Sequence, residues 1–189
     1  MRLPPKGDDS LGAWQSFLAV PQLGCVGFME RHEMTTQPVV IDVDGSVGLL
    51  ADELRLPLQS WQELVRFGCS LRNFKRFSQT LHEQLPQQHG TVLMGSGDFH
   101  HLSWPLIERC ITQQARSTSK PLRVLVLDNH PDNMRFPWGV HCGSWVRRVA
   151  MHPAVSHVHV VGITSRDIGA RHAWENYAAP LRAGKLSYW

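Results

Sequence analysis

Three residues that bind metals in proteins alternate along the chain where an apolar run ends. Asp128, His130 and Asp132 follow Leu122–Leu127, whose composition is typical of a buried strand. Residues two apart on an extended chain point the same way, so the three side chains can converge on one point. Carboxylates and neutral imidazole suit Mn²⁺, Zn²⁺ or Fe²⁺, whereas two unpartnered carboxylates in a core are unfavourable. The triplet therefore predicts a metal site, with a capped loop that binds no metal as the alternative.

Two further loops place histidines beside glycines. Residues 95–101 contain the pair His100 and His101, and residues 139–143 contain His141. Glycine lets the backbone approach a ligand closely. Two carboxylates with several imidazoles can hold one or two divalent ions and an activated water. Either histidine of the pair could be the ligand.

The elements that must position these loops alternate between strand and helix. Strands are predicted at 38–45, 91–95, 122–127, 155–163 and 185–189, and helices at 61–67, 71–85, 103–116, 144–150 and 167–179. Such alternation indicates βαβ units and a parallel, doubly wound sheet. Sites in these sheets lie beyond the carboxyl ends of the strands. The polar loops at Asp42, Gly97 and Asp128 all lie at such ends.

Length and composition indicate one globular domain. The 189 residues are 42% hydrophobic and 19% charged, enough for a substantial core. The net charge of +3 is spread along the chain without a block of Lys or Arg, so a nucleic-acid partner is not expected. A small molecule is the expected substrate, and self-association into a homo-oligomer is left open.

The cysteines and the start of the chain favour a cytoplasmic protein without a membrane partner. The four cysteines are far apart and form no C-x-x-C pair, which favours reduced thiols. The first ten residues, with two aspartates and two prolines, are unlike a signal peptide. The apolar stretch 11–29 is interrupted by glutamines, a proline and glycines, which makes it a poor membrane span.

Taken together, the motifs resemble those of the arginase/agmatinase (ureohydrolase) family within the arginase–deacetylase superfamily. That family has a G-G-D-H-S loop, then a D-x-H-x-D strand end, then an H-G loop. This chain keeps the order with Gly97-Asp98-Phe99-His100, then Asp128 to Asp132, then His141-Cys142-Gly143, over about residues 90–163. The resemblance implies an α/β fold, a three-layer α/β/α sandwich with a mostly parallel sheet. It implies a single arginase-like domain over 1–189 that is the N-terminal part of a longer, here incomplete, fold.

The resemblance also implies roles for the candidate residues. Asp128 would bridge two Mn²⁺ ions, His100 and Asp132 would bind one ion, and His130 would bind the other. His141 would face the substrate as a proton shuttle. A metal-activated water would attack a guanidinium or amide carbon, with both ions stabilising the developing charge.

Two residues after the triplet are candidates for substrate binding. Asn133 and Arg135 could reach a carboxylate of the substrate, as His141 could reach its reacting group. The alternative is that both are loop residues that make backbone hydrogen bonds.

The chain departs from the family pattern at three points. Phe99 stands between Asp98 and the histidines, and Cys142 separates His141 from Gly143. The S-x-D-x-D-x-x-D-P segment that completes both coordination spheres in the family does not follow His141. A similar Asp-x-Asp segment at 42–45 precedes the other motifs and is interpreted as a coincidence of strand ends.

Three functional hypotheses follow. The first is a hydrolase of non-peptide C–N bonds in linear amidine, guanidino or amide substrates with a binuclear Mn²⁺ site. The second is a Zn²⁺-dependent deacetylase of the same superfamily, in which a tandem pair such as His100-His101 acts as general base. Asp132 discriminates between them, because a second ion needs it and a single zinc does not. The third is a truncated, non-catalytic remnant that serves as an interaction module.

Overall fold

The computed structural model describes residues 17–18, 37–116 and 120–189, which form a mixed α/β structure with mostly parallel sheets. The strands are β1 (Phe17–Leu18), β2 (Val39–Asp42), β3 (Leu54–Pro57), β4 (Gly68–Cys69), β5 (Val92–Met94), β6 (Leu122–Leu127), β7 (Val140–His141), β8 (Val155–Val161) and β9 (Leu186–Tyr188). The α-helices are α1 (Gln62–Val65), α2 (Leu71–Gln84), α3 (Ser103–Gln114), α4 (Val146–Ala150) and α5 (Ala179–Arg182).

The first sheet has the strand order β1-β5-β2-β3. Strand β2 is parallel to both β3 and β5, with Val39 opposite Leu54 on one side and Val92 on the other. Strand β1 is antiparallel to β5. Every residue of β2 is buried, as its apolar composition predicts, whereas β3 is buried only at Leu56. Strand β3 has no counterpart among the predicted elements.

The second large sheet has the order β6-β8-β9, and all of its pairings are parallel, while β4 and β7 form a separate antiparallel pair. Strand β6 spans the predicted residues, but only one of its faces is buried. Val124 and Val126 belong to the core, while Leu125 and Leu127 are 59% and 67% exposed. The apolar run is therefore a half-buried strand, and the prediction that it is buried holds for one face alone.

One apolar core joins the two sheets to α2, α3 and α4. Its largest fully buried side chains include Phe77, Leu102 and Trp145. Helix α2 begins after Ser70, whose hydroxyl accepts a hydrogen bond from the Asn73 backbone N–H, as expected of a helix cap. The two large sheets thus share one core, although among the described residues no strand of one pairs with a strand of the other.

The predicted helix at 61–67 is shorter in the structure, Gln62–Val65, and two other predicted helices differ more. Residues 167–179 contain only a 3-10 turn, Ala173–Glu175, and the first residue of α5. The predicted cap of α4, Ser144, instead places its hydroxyl on the backbone of His141, from whose N–H it accepts at 2.9 Å. The N-cap of α4 is therefore Trp145, one residue later than predicted, and the helix begins at Val146.

Polar loops leave the carboxyl ends of β5 and β6 and meet where His100 contacts Asp128 and Asp132. The 3-10 turn Gly97–Leu102 follows β5, and the loop that begins at Asp128 follows β6. The described elements do not by themselves establish the predicted three-layer sandwich. Among them, no helix is both long enough and apolar enough to cross a membrane.

Candidate metal centre

Three of the predicted ligands converge at the meeting point of the two loops. His100 Nδ1 lies 2.8 Å from Asp128 Oδ2 and 2.9 Å from Asp132 Oδ2. All three ligand atoms lie within 4.8 Å of one another. Because His100 follows β5 and the aspartates follow β6, each sheet contributes to the cluster.

The loop after β5 is held by an aspartate from the neighbouring strand end. Asp44 Oδ2 accepts a hydrogen bond from the Ser96 N–H at 3.0 Å. A Cβ atom at Gly95 would overlap the Asp44 carboxylate, so an alanine here would have to displace that side chain. The following 3-10 turn buries Phe99 and Leu102 in the core and directs His100 towards the aspartates.

The loop after β6 folds back on itself to bring its two aspartates together. Asp128 Oδ1 accepts from the His130 N–H at 2.8 Å, which closes a local turn. Asp132 has a left-handed φ of 46°, which aspartate tolerates better than most residues. Its Oδ2 accepts from the indole N–H of Trp145 at 2.8 Å, and its carbonyl accepts from Val146 N–H. The start of α4 therefore orients this carboxylate.

The cluster strongly perturbs the protonation of its members. Burial alone would lower the pKa of His100, but hydrogen bonds and charges from Asp128 and Asp132 raise this pKa to about 9. Burial raises the pKa of Asp132. Burial also acts to raise the pKa of Asp128, but hydrogen bonds and charges from His100 and His130 together outweigh it and lower this pKa. The metal-free cluster therefore holds a positive charge, the proton of His100, between two carboxylates.

This donor set fits a divalent metal ion. One imidazole nitrogen and two carboxylate oxygens are ligands that first-row divalent ions accept. An ion would take over the role of the His100 proton as the positive partner of Asp128 and Asp132, since metal binding releases protons from its ligands. His100 and Asp132 are buried and Asp128 is half-buried, which adds a poorly solvated environment in which charge interactions are strong.

The structure brings His100, and not His101, to the aspartates. The His101 side chain is fully buried, and the polar group beside its ring is the Val65 backbone, not an aspartate. Burial, with smaller contributions from the charges of His141 and His100, lowers the pKa of His101 to about 4. The ring is therefore neutral at physiological pH.

His130 lies at the edge of the cluster. Its side chain is 52% exposed, and its Nδ1 is 3.6 Å from Asp128 Oδ1, the oxygen that does not contact His100. The two oxygens of Asp128 thus face different histidines. This arrangement leaves His130 outside the three-residue group but within reach of the shared aspartate.

His141 is fixed by its own loop. Its Nδ1 accepts a hydrogen bond from the Gly143 N–H at 3.0 Å, and Phe136 packs at right angles to its ring. Burial lowers the pKa of His141. A neutral ring whose Nδ1 accepts carries its proton on Nε2, which makes it a hydrogen-bond donor. The predicted proton shuttle stays a prediction, and it would require the bond to Gly143 to break when both nitrogens are protonated.

The two predicted substrate-binding residues contact the rest of the chain. Asn133 is fully buried, and its amide nitrogen donates to the Tyr177 carbonyl and the Tyr188 hydroxyl. Arg135 Nε donates to the Asn176 carbonyl at 3.2 Å, although this side chain is exposed. These contacts favour the alternative in which both residues brace the loop.

Two residues that position the cluster were not among the sequence-predicted site residues. Trp145 looks like an ordinary core tryptophan in the sequence, because only its partner shows that the indole N–H serves Asp132. Asp44 belongs to the segment 42–45, interpreted from the sequence as a coincidence, yet it supports the loop that carries His100.

Comparison with known proteins yields no family. No protein-family model matches the chain, and no curated protein or solved structure matches it either, so the interpretation of the centre rests on its own geometry.

Proposed function

We propose that this chain is a metal-dependent hydrolase of non-peptide C–N bonds in linear amidine, guanidino or amide substrates. The observation that carries the proposal is the convergence of His100, Asp128 and Asp132 within 4.8 Å. The order of the motifs along the chain supports the reaction class through its resemblance to the ureohydrolases. The proposal includes an arginase-like three-layer architecture and a cytoplasmic location.

Two Mn²⁺ ions are the proposed cofactors. His100 and Asp132 would hold the first ion and His130 the second, with Asp128 shared between them. The separate orientation of the two Asp128 oxygens, one towards each histidine, supports this sharing. When bound, such ions lower the pKa of a water molecule and polarise the substrate carbonyl or amidine group.

The surrounding side chains have separate tasks in this proposal. Trp145 fixes the orientation of Asp132 by hydrogen bonding its Oδ2. His141 donates a hydrogen bond from Nε2 to the substrate, because its Nδ1 is occupied by Gly143. The buried Phe99 and Leu102 exclude water from the inner side of the His100 turn.

A second candidate is a deacetylase that uses a single Zn²⁺ ion. Catalytic zinc sites typically have three protein ligands and one open position, and the His100–Asp128–Asp132 group has three. The position of His130 outside this group favours one ion over two. The neutral, buried His101 directly follows the ligand His100 in the sequence. The two histidines are the tandem pair that this candidate would use as general base.

Metal stoichiometry tests the two candidates. The metal-free 189-residue chain is titrated with Mn²⁺ and with Zn²⁺ by calorimetry, beside the variants His130→Ala and Asp132→Asn. Two Mn²⁺ per chain, reduced to one by His130→Ala, supports the binuclear site. One tightly bound Zn²⁺ that His130→Ala leaves unchanged supports the second candidate and contradicts the first.

Turnover then distinguishes an enzyme from an interaction module. The metal-loaded chain is assayed for urea release from linear guanidino compounds and for acetate release from N-acetylated amines. Metal-dependent release that Asp132→Asn abolishes supports a hydrolase. Absence of both metal binding and release would leave the non-catalytic hypothesis as the better explanation.

A further inference from the structure

Phe67 has an unusual backbone conformation beside the candidate centre. It is the one aromatic residue among the three non-glycine residues with positive φ in the described ranges, with φ of 58°. The other two, Asp52 and Asp132, are of a type that tolerates this conformation. For a bulky side chain a left-handed φ is a genuine outlier, and such outliers concentrate at functional sites.

Hydrogen bonds on both sides hold Phe67 between the two loops that carry histidines. Its N–H donates to the Asp98 carbonyl at 2.9 Å, and its carbonyl accepts from the Cys142 N–H at 2.8 Å. Asp98 lies two residues before the ligand His100, and Cys142 follows His141. The next residue, Gly68, pairs with His141 in the β4–β7 ladder. Phe67 therefore lies where the two loops meet.

The side chain of Phe67 is not explained by packing in the core. The residue is 55% exposed, so its ring buries little apolar surface. Glycine would adopt the same left-handed conformation without strain, and it would keep both backbone hydrogen bonds. An exposed ring in an unfavourable conformation is explained if the ring contacts a molecule outside the chain.

A neighbouring arginine restricts what that molecule can be. The Arg66 guanidinium lies 5.0 Å from the centre of the Phe67 ring, and Arg66 Nε is 3.1 Å from Asp98 Oδ2. This cation already makes the cation–π contact that the ring could otherwise offer to a charged group of a ligand. The ring is thus suited to a neutral, apolar group.

We propose that Phe67 is a specificity residue that packs against a neutral alkyl or aryl group of the substrate, next to the scissile C–N bond. This inference rests on the proposed function, because the backbone hydrogen bonds of Phe67 connect it to the loops that carry the ligand His100 and His141. It narrows the substrate class to amides or amidines that carry an apolar substituent.

Two hydroxamic acids test the proposal, because the hydroxamate group binds divalent metals and the remainder can be varied. Acetohydroxamic acid and octanohydroxamic acid are titrated by calorimetry into the Mn²⁺-loaded chain. We expect the octanoyl compound to bind about tenfold more tightly, as burial of a few methylene groups would give. Phe67→Gly should remove most of this gain and leave the affinity for acetohydroxamic acid unchanged.

Two further variants distinguish a contact between the Phe67 ring and the ligand from an effect of Phe67 on the shape of the loops. Phe67→Tyr keeps the ring and should keep the preference for the octanoyl compound. Asp52→Gly relieves a left-handed residue in the turn before β3 and should leave both affinities unchanged. The melting temperature of Phe67→Gly should equal or exceed that of the parent chain, since glycine relieves the strain.

The outcomes that overturn the proposal differ from those that overturn the function. Equal affinities for the two acids in the parent chain, or a preference that survives Phe67→Gly, would overturn the role of Phe67 alone. Loss of both affinities with a lower melting temperature would assign Phe67 to the shape of the loops instead. Failure of both acids to bind in the presence of Mn²⁺ would overturn the proposed function and this inference with it.

Discussion

Trp145 and His100 contact the same carboxylate oxygen of Asp132. The indole N–H lies 2.8 Å from Oδ2, and His100 Nδ1 lies 2.9 Å from it. The imidazole and indole rings also meet edge to face, with centres 5.1 Å apart. Trp145 therefore holds the Asp132 carboxylate by a hydrogen bond and the His100 ring by an edge-to-face contact.

Replacing Trp145 by phenylalanine should weaken metal binding without unfolding the chain. The ring would still fill most of the buried space, but Asp132 would lose the donor that orients it. We expect the dissociation constant for Mn²⁺ or Zn²⁺ to rise about tenfold, which is typical when a partner of a metal ligand is removed. Calorimetric titration of the metal-free chain measures this change.

Trp104→Phe is the matched control for this substitution. Trp104 stacks on Phe74 with ring centres 4.4 Å apart, and the three-residue metal group does not include either residue. This variant should bind metal as the parent chain does. An equal loss of affinity in both variants would show that general loosening of the core, and not the hydrogen bond to Asp132, is responsible.

The metal-free chain should lose stability as the pH rises from 6.5 to 9. Against the effect of burial, the two aspartates raise the pKa of His100 from 6.5 to about 9. A raised pKa in the folded state stabilises the protein fully below 6.5, and this contribution is lost as the pH passes 9. The free energy of unfolding should fall by about 3 kcal/mol at most across this window.

Urea denaturation with a chelator present measures this decline. His100→Gln should flatten the profile between pH 6.5 and 9, because glutamine does not titrate. A parent chain whose stability is constant across the window would show that His100 is not protonated in the folded state.

His101 should make the folded chain less stable as the pH falls below 6.5. Burial, followed by the charges of His141 and His100, lowers its pKa from 6.5 to about 4. The unfolded chain therefore takes up a proton that the folded chain rejects until the pH reaches 4. His101→Leu should stabilise the protein relative to the parent chain by an amount that grows to about 3 kcal/mol between pH 6.5 and 4.

Urea denaturation of the two chains over this range provides the comparison. The same variant should bind Mn²⁺ normally at neutral pH, because His101 lies outside the ligand group. Loss of metal binding in His101→Leu would contradict the assignment of His100 as the ligand.

Two glycines in one loop should respond differently to alanine. A Cβ at Gly95 would overlap the Asp44 carboxylate, which is held by hydrogen bonds from Ser46 and Ser96. Gly95→Ala should lower the free energy of unfolding by about 1–3 kcal/mol, as other disruptions of a hydrogen-bonded loop do. It should also weaken metal binding, since the loop carries His100.

Gly97→Ala serves as the control, because a Cβ there meets no atom within 4 Å. Thermal melts measure the stability of the two variants, and metal titrations measure their affinity for the ion. Similar behaviour of both would indicate that Asp44 does not hold the loop in solution.

The strand that leads to the centre could be predicted from the sequence, but the choice between adjacent histidines could not. The apolar run Leu122–Leu127 and the alternation of Asp128 and Asp132 depend on local periodicity, which the sequence displays directly. The choice between His100 and His101 depends on the rotation of a 3-10 turn. That rotation is set by the burial of neighbouring apolar side chains, a tertiary effect.

The other differences between the predicted and the observed elements also arise from tertiary contacts. Strand β3 is short and half exposed, and it is held by pairing with β2, so its own residues give little signal. Residues 167–179 form mainly turns, whose backbone bonds to distant loops: Arg135 N–H donates to the Glu175 carbonyl, and Tyr177 N–H to the Asn133 carbonyl. Such contacts between distant segments override local preference for helix.

The division of the ligands between two sheets has a thermodynamic consequence. His100 follows a strand of one large sheet and both aspartates follow a strand of the other, and in the described part of the chain no strand of one large sheet pairs with a strand of the other. An ion at the centre would therefore act as a reversible cross-link between the two large sheets, in addition to the short β4–β7 pairing nearby. Linkage then couples occupancy to folding: free metal at one hundred times its dissociation constant would add about 2.7 kcal/mol to stability. The resistance of the chain to unfolding would thereby report the concentration of available metal.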